Sequence, residues 1–160
     1  MKITRAMASD LPEILALQKL AFQENAIRYN DSNISPLRQT LDELIEEAQT
    51  HVILKAVVQD KIIGSVRGVL RADHAYIGRV IVHPDYQNQG IGRKLMTAIE
   101  NEFDTTKFEL VAGYLDDKNI ALYTKLGYQI YGEEKESENL SFVQMRKETC
   151  DLQSRRLLDA

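Results

Sequence analysis

Apolar residues repeat along this chain with two different periods, and the changes between them divide it into elements. Residues 3–6 alternate and predict a short first strand. Asp10 and Glu13 have the spacing of a capping box, Pro12 suits a first helical turn, and Leu11, Ile14, Leu15 and the run from Leu17 to Ala21 supply a helical stripe. Residues 22–34 are polar with scattered aromatics and no clear period, which predicts a connection. Ser35-Pro36 then reads as a cap followed by proline at the first helical position. It opens a second predicted helix over 36–49, with Leu37, Leu41, Leu44, Ile45 and Ala48 on one face and Asp42, Glu43, Glu46 and Glu47 opposite. From His51 the period becomes that of strands. Segments 51–58, 62–70 and 75–82, with turns at Gln59-Asp60-Lys61 and near Ala72-Asp73, predict an antiparallel meander. A helix over 91–103, a strand over 108–114, a helix over 117–126 closed by Gly127, and strands over 128–131 and 139–147 follow. The charged tail 148–160 fits either a helix or a packing arm. Strands with inserted helices in this order predict one α+β domain over 1–147, its mixed sheet covered by helices on both faces.

Composition narrows the classes of function. A chain of 160 residues with 44% hydrophobic content can bury a core, and its formal charge of −4 argues against a protein that tracks nucleic-acid phosphates. It permits a cationic small substrate. Cys150 is the single cysteine, so neither an intrachain disulfide nor a cysteine-based metal site is expected, which suits a reducing cytoplasm. The N-terminal residues lack the apolar core of a signal peptide, and no apolar run has the length of a membrane span. The expectation is a cytoplasmic protein with no nucleic-acid or membrane partner and no metal, and a homodimer is left open.

Residues 80–96 carry the first chemical signal. The apolar run Val80-Ile81-Val82 ends at His83-Pro84, a polar turn follows, and Gly90 and Gly92 open an amphipathic segment. This reads as strand, loop, helix. The first helical turn leaves its N–H groups without partners and bears the positive end of the helix dipole, so such a junction can seat a phosphate. Glycine at 90 and 92 removes Cβ atoms that would hold an anion off and permits positive φ, while Arg93 and Lys94 add charge. A bare Gly-x-Gly equally fits an ordinary strand-to-helix turn. Neither a Walker loop nor the three-glycine Rossmann spacing is present, and no acidic metal-binding motif supports a phosphate hydrolase.

The longer pattern Gln87-x-x-Gly90-x-Gly92, after His-Pro and before a helix, resembles the acetyl-CoA pyrophosphate loop of the GNAT N-acetyltransferase superfamily. A second stretch, Leu122-Tyr123-Thr124-Lys125-Leu126-Gly127-Tyr128, resembles that superfamily's second cofactor-binding segment. The element order is also similar over nearly the whole chain, which implies a largely antiparallel sheet of about seven strands. The resemblance implies acetyl-CoA as co-substrate, held by Gln87, Asn88, Gln89, Gly90, Ile91, Gly92 and Arg93 at the pyrophosphate. It also implies that backbone groups of Val80, Ile81 and Val82, freed where two strands splay at a bulge, meet the pantetheine and thioester carbonyl. Tyr123 then stands as the acid that meets the leaving thiolate. As a lone tyrosine, it would read as a half-buried amphipathic residue. The superfamily often has asparagine seven residues before this tyrosine, holding the pantetheine amide. Asp116 stands there here, so the pantetheine contact falls either to Asp116 or to Asn119, four residues before Tyr123 and on its face.

An amine acceptor must lose a proton to attack, and the sequence does not single out the base. His74, Tyr76, His83, Glu24 and Asp31 are candidates by type; His83 beside Pro84 also suits the turn, and His51 at a strand start suits a structural role. Acceptor choice is expected within residues 22–40 and their surroundings. There Glu24, Tyr29, Asp31, Asp42 and Glu43 would favour a cationic acceptor such as a polyamine, an aminoglycoside-like amine or a peptide or protein amine, although an acidic helix face is commonly just solvated. The alternative is a non-catalytic acetyl-CoA sensor acting through its surface.

Overall fold

The computed structural model describes residues 1–150. The strands are β1 (Lys2–Arg5), β2 (Val52–Val58), β3 (Lys61–Arg71), β4 (His74–Val82), β5 (Lys107–Gly113), β6 (Gln129–Lys135) and β7 (Ser141–Glu148). They form one sheet in the order β1-β2-β3-β4-β5-β7-β6, antiparallel at every pair except β4–β5. The helices are α1 (Leu11–Arg28), the single turn α2 (Ser35–Arg38), α3 (Leu41–Ala48), α4 (Ile91–Glu100) and α5 (Asp117–Lys125). The expected α+β sheet of seven strands is the one observed. The tail beyond 150 lies outside the described residues, and among them no helix is long and apolar enough to cross a membrane.

Two apolar layers sandwich the sheet. On one face, Leu11, Ile14, Leu15 and Leu17 of α1 and Leu44 of α3 pack on Ile53, Ile62 and Ile81. On the other, Ile91, Leu95, Met96 and Ile99 of α4 pack on Leu54, Ile63, Val66, Ala75, Ile77 and Phe108. Strict alternation would put Ala75, Ile77 and Ile81 on one side of β4. A bulge prevents this. Ser65 faces Ile81 and Arg67 faces Gly78, so β4 carries one residue more than β3 between those pairs, and Arg79 there has φ 51°. The extra residue turns Ile81 over to the α1 side.

The structure corrects four boundaries. Helix α1 runs through residues 22–28, expected as a connection, because Phe22 and Ala26 pack against Tyr29, Ile34 and Leu140, which offsets a weak local pattern. The helix expected over 36–49 is broken at Gln39, whose ψ of 131° is extended. Thr40 then caps α3: its hydroxyl accepts from Glu43 N at 3.2 Å, and Glu43 accepts from Thr40 N at 3.0 Å. Asp10 and Glu13 form no capping box with each other, since Asp10 accepts from Lys55 Nζ and Met7 N, both at 2.7 Å, and Glu13 accepts from Ile62 N. Helix α4 stops at Glu100, short of Phe103, and β6 runs on to Lys135.

Candidate functional site

Strands β4 and β5 pair only at Ala75–Phe108 and Tyr76–Glu109. Beyond that point they diverge. The edge of β4 from Gly78 onward and that of β5 from Leu110 to Gly113 are left without strand partners toward each other, and two cavities occupy the wedge. The larger, of about 610 Å³, is bordered by Arg79, Val80, Gly113 and Tyr123. The smaller, of about 280 Å³, is bordered by Val80, Ile81, Val82, the glycine turn and the start of α5. Phe22, Asn25, Val80, Asp116 and Asn119 border both, so the two spaces meet at the wedge.

At the end of β4 the chain makes a short 3₁₀ turn, Pro84–Tyr86, with His83 Nδ1 accepting from Asp85 N at 3.1 Å. Asn88 (φ 64°) and Gly90 (φ 78°) then adopt left-handed conformations, and Gly90 caps α4. Such residues turn backbone N–H groups toward a common concavity at a helix N-terminus. The two glycines are not equivalent. A Cβ at Gly90 would meet nothing within 4 Å, so its requirement is the positive φ. Gly92 has no left-handed φ, but a Cβ there would lie 3.3 Å from Leu122 Cδ2 of α5, so its requirement is close packing at the wall of the cavity. That corrects the expectation of positive φ at both. Gln87, Asn88, Ile91, Gly92 and Arg93 border the smaller cavity, and Gln87 Nε2 also donates to the Val82 carbonyl at 3.4 Å. Gln89 does not border it. Arg28 and Lys118 add positive charge that the motif did not reveal.

Asp116 is buried, caps α5 by accepting from Asn119 N, and accepts from Asn119 Nδ2 at 2.8 Å. The residues at the two alternative pantetheine positions are thus bonded to each other. Arg28 Nη1 approaches Asp116 Oδ1 at 4.0 Å. One turn beyond Asn119, Tyr123 is 5% exposed and borders the larger cavity, with its ring edge-on to Tyr128 at 6.1 Å and its hydroxyl making no hydrogen bond to any described residue. Burial, and then the Asp116 charge, push its phenol well above the ordinary value of 10, so it holds its proton at neutral pH.

The candidate bases separate by position. Tyr76 and Asp31 border the larger cavity. His74 does not; its Nε2 pairs with Glu109 at 2.8 Å. His83 serves the turn, and Glu24 borders the smaller cavity while pairing with Arg28 at 3.4 Å. Tyr29 is buried on the wall of the larger space, its hydroxyl accepting from Leu115 N at 3.0 Å. Neither Asp42 nor Glu43 reaches either cavity, since α3 turns that face outward. His51, expected to be structural, bonds Thr50 Oγ1 through Nδ1 at 2.8 Å and yet also borders the larger cavity.

A polar network under α1 and α3 went unread in the sequence. Arg67, 2% exposed, donates to Glu47 Oε2 at 3.0 Å, to Gln39 Oε1 at 3.1 Å and to Gln18 Oε1. Burial lowers the Arg67 pKa to about 10, against the pull of Glu47. Burial pushes the Glu47 carboxyl up, but Arg67, Gln39, His51 and Arg79 together outweigh it and hold it below its ordinary value. The available signal was an arginine within an otherwise apolar or small-residue strand, Ile62-Ile63-Gly64-Ser65-Val66-Arg67-Gly68-Val69.

A family model described as "Acetyltransferase (GNAT) domain" matches residues 19–149. The Bacillus subtilis (strain 168) protein YrkN, itself described as uncharacterized, is 30% identical over 131 residues, covering 78% of this chain and 71% of that protein. Among solved structures, the PaiA N-acetyltransferase of Thermoplasma acidophilum in complex with coenzyme A superposes with a TM-score of 0.78 at 17% identity, over 92% of this chain and 98% of that one. A phosphinothricin acetyltransferase of Sinorhizobium meliloti in complex with acetyl-CoA gives 0.73 at 17% identity, over 92% and 87%. At such identities these likenesses speak for the fold.

Proposed function

Because the chain belongs to the GNAT acetyltransferase family, we propose that it is a cytoplasmic enzyme that moves the acetyl group of acetyl-CoA to a primary amine by direct transfer in a ternary complex. The observation that carries this is the wedge: β4–β5 pairing ends at Tyr76–Glu109, and the unpaired edge of β4 leads straight into a left-handed turn at the N-terminus of α4. A pyrophosphate fits the turn, an extended pantetheine fits the open strand edge, and the thioester then lies where the two cavities meet. Coenzyme A in the PaiA structure and acetyl-CoA in the phosphinothricin acetyltransferase structure support that choice of co-substrate.

In this reading the amine lone pair attacks the thioester carbon from the larger cavity, the C–N bond forms, and negative charge gathers on the carbonyl oxygen. Backbone N–H groups on the open edge of residues 80–82, a stretch held from its other edge by the pairing of Ile81 and Val82 with β3, stabilise it without reorganising. The C–S bond then breaks toward Tyr123. A thiol of pKa about 8.5 is the weaker base, and a phenol raised above about 10 would lose at least about 2 kcal/mol in passing its proton over completely. Tyr123 therefore acts mainly as a hydrogen-bond donor to the sulfur, and its freedom from other hydrogen bonds leaves the donor available. Among the groups bordering the acceptor side, Asp31 and the Glu47–His51 pair can take the amine proton directly or through water, whereas burial raises the Tyr76 phenol, which keeps its own proton and can only relay one. A thiol-release assay with acetyl-CoA across a panel of amines tests the reading. Release with at least one amine is expected; coenzyme A binding without release for any amine would favour the sensor instead.

A further inference from the structure

Given the acetyl-transfer reading, on which this rests, we propose that the amine acceptor also carries a carboxylate, as an amino acid does, and that Arg79 receives it on the floor of the larger cavity. Arg79 occupies the β4 bulge in a left-handed conformation that a non-glycine residue seldom adopts, and the bulge turns it to the α1–α3 side of the sheet. There its Nη2 donates to Ser35 Oγ at 3.0 Å and its guanidinium lies 6.0 Å from the Phe22 ring centre. No described carboxylate lies within ion-pair distance of it. Behind it stands Arg67, buried, with an Nε that has no hydrogen-bond partner.

The charge count at this floor is uneven. Glu47 is the carboxylate that Arg67 and Arg79 share in their electrostatics; Arg67 and Gln39 both donate to its Oε2, and His51 Nε2 lies 3.9 Å from its Oε1. Two guanidiniums against one carboxylate leave one positive charge in partly desolvated surroundings, with donors to spare. A buried cation without a counterion is costly, so a ligand that supplies one is favoured here. The excess matches a monoanion better than a phosphate dianion, and the planar fork of an arginine matches a carboxylate in two-bond geometry. Asp31, Glu134 and Glu136 border the same cavity from other elements and suit the ammonium end of a zwitterion. A polyamine would bring its cations against Arg67 and Arg79. The acidic residues of the helix faces had pointed that way in the sequence, but Asp42 and Glu43 lie outside the cavity.

The test uses the full chain in a thiol-release assay with matched sets: free amino acids, their amides, the corresponding decarboxylated amines, and phosphoethanolamine as the phosphate arm. A charge-assisted pair corresponds to about 10- to 150-fold. The carboxylates should exceed their amides and amines by at least about tenfold in kcat/KM. Arg79→Gln should erase that preference while leaving coenzyme A affinity unchanged, and Arg79→Lys should retain part of it. Equal turnover of amides or polyamines, a phosphate preference, or an unaltered preference in folded Arg79→Gln would overturn the proposal. If no amine is acetylated, the transfer reading fails on its own. Calorimetric titration of the coenzyme A complex with the same compounds then decides the inference: carboxylate-dependent binding lost in Arg79→Gln supports it, and its absence refutes it.

Discussion

Replacing Tyr123 with phenylalanine separates chemistry from packing in this site. The ring is 5% exposed and edge-on to Tyr128, and Phe keeps those contacts. The hydroxyl bonds no described residue, so its loss breaks no hydrogen bond, and stability is expected to change by less than about 1 kcal/mol. Coenzyme A affinity should also hold. Turnover should not, because a neutral donor to a thiolate is worth about 1.5–3 kcal/mol, or about 10- to 150-fold in kcat. Thiol release at saturating acetyl-CoA measures this on any amine that the wild type accepts. The pH dependence gives a second readout. Burial raises the folded phenol above its unfolded value of 10, so its contribution to stability is complete below about pH 10 and is lost as pH rises toward the folded pKa. Over pH 6–9 the donor stays protonated and sets no limb of the rate profile. Above about pH 10 the wild type should lose stability more steeply than Tyr123→Phe. A folded Tyr123→Phe protein with wild-type kcat would show that solvent or another group meets the thiolate, and Tyr123 would be only part of the wall.

Four further outcomes are expected. Gly90→Val forces a branched residue into φ 78°, costing about 1–2 kcal/mol and closing the turn, so calorimetry should show loss of acetyl-CoA binding in a folded protein, whereas Gly90→Asn, which tolerates that conformation, should retain most of it. In Gly92→Val the same loss arises by contact with Leu122, and wild-type affinity in both valine variants would remove the phosphate-seat argument. Coenzyme A at about 100 times its Kd should add about 2.7 kcal/mol of stability, seen as a raised Tm; an equal or larger shift with NAD or ATP at the same concentration would contradict the cofactor assignment. Glu47→Ala should destabilise by about 3–5 kcal/mol, since it leaves Arg67 buried without its carboxylate, and an unchanged denaturant midpoint would show that Gln18 and Gln39 suffice. Because the folded Glu47 pKa is depressed, its stabilisation is present above its ordinary value near 4.5 and fades as pH falls through the lower folded value.

What the sequence determined by itself is local. The glycine turn and the close of α5 are written in residues a few positions apart. Gly90 and Gly127 take the left-handed angles that end one element or begin the next, and the strand and helix periods around them are short-range patterns. Tyr123 and Asn119 share a wall because four residues make about one helical turn. Tertiary structure decided the rest. Alternation cannot say that β4 gains a residue against β3, because a bulge is a property of the pair; yet that residue sends Ile81 to the opposite face and Arg79 into the cavity. Nor can the pattern over 36–49 say that the helix breaks at Gln39, where Thr40 takes the cap and the freed side chain joins Gln18, Glu47 and Arg67. That network joins residues as far as 49 positions apart. A charge in a buried strand signals that a partner must exist, but the partner is fixed only when α1 and α3 pack over the sheet, since the energy of a buried ion depends on its whole surroundings rather than on its neighbours in the chain.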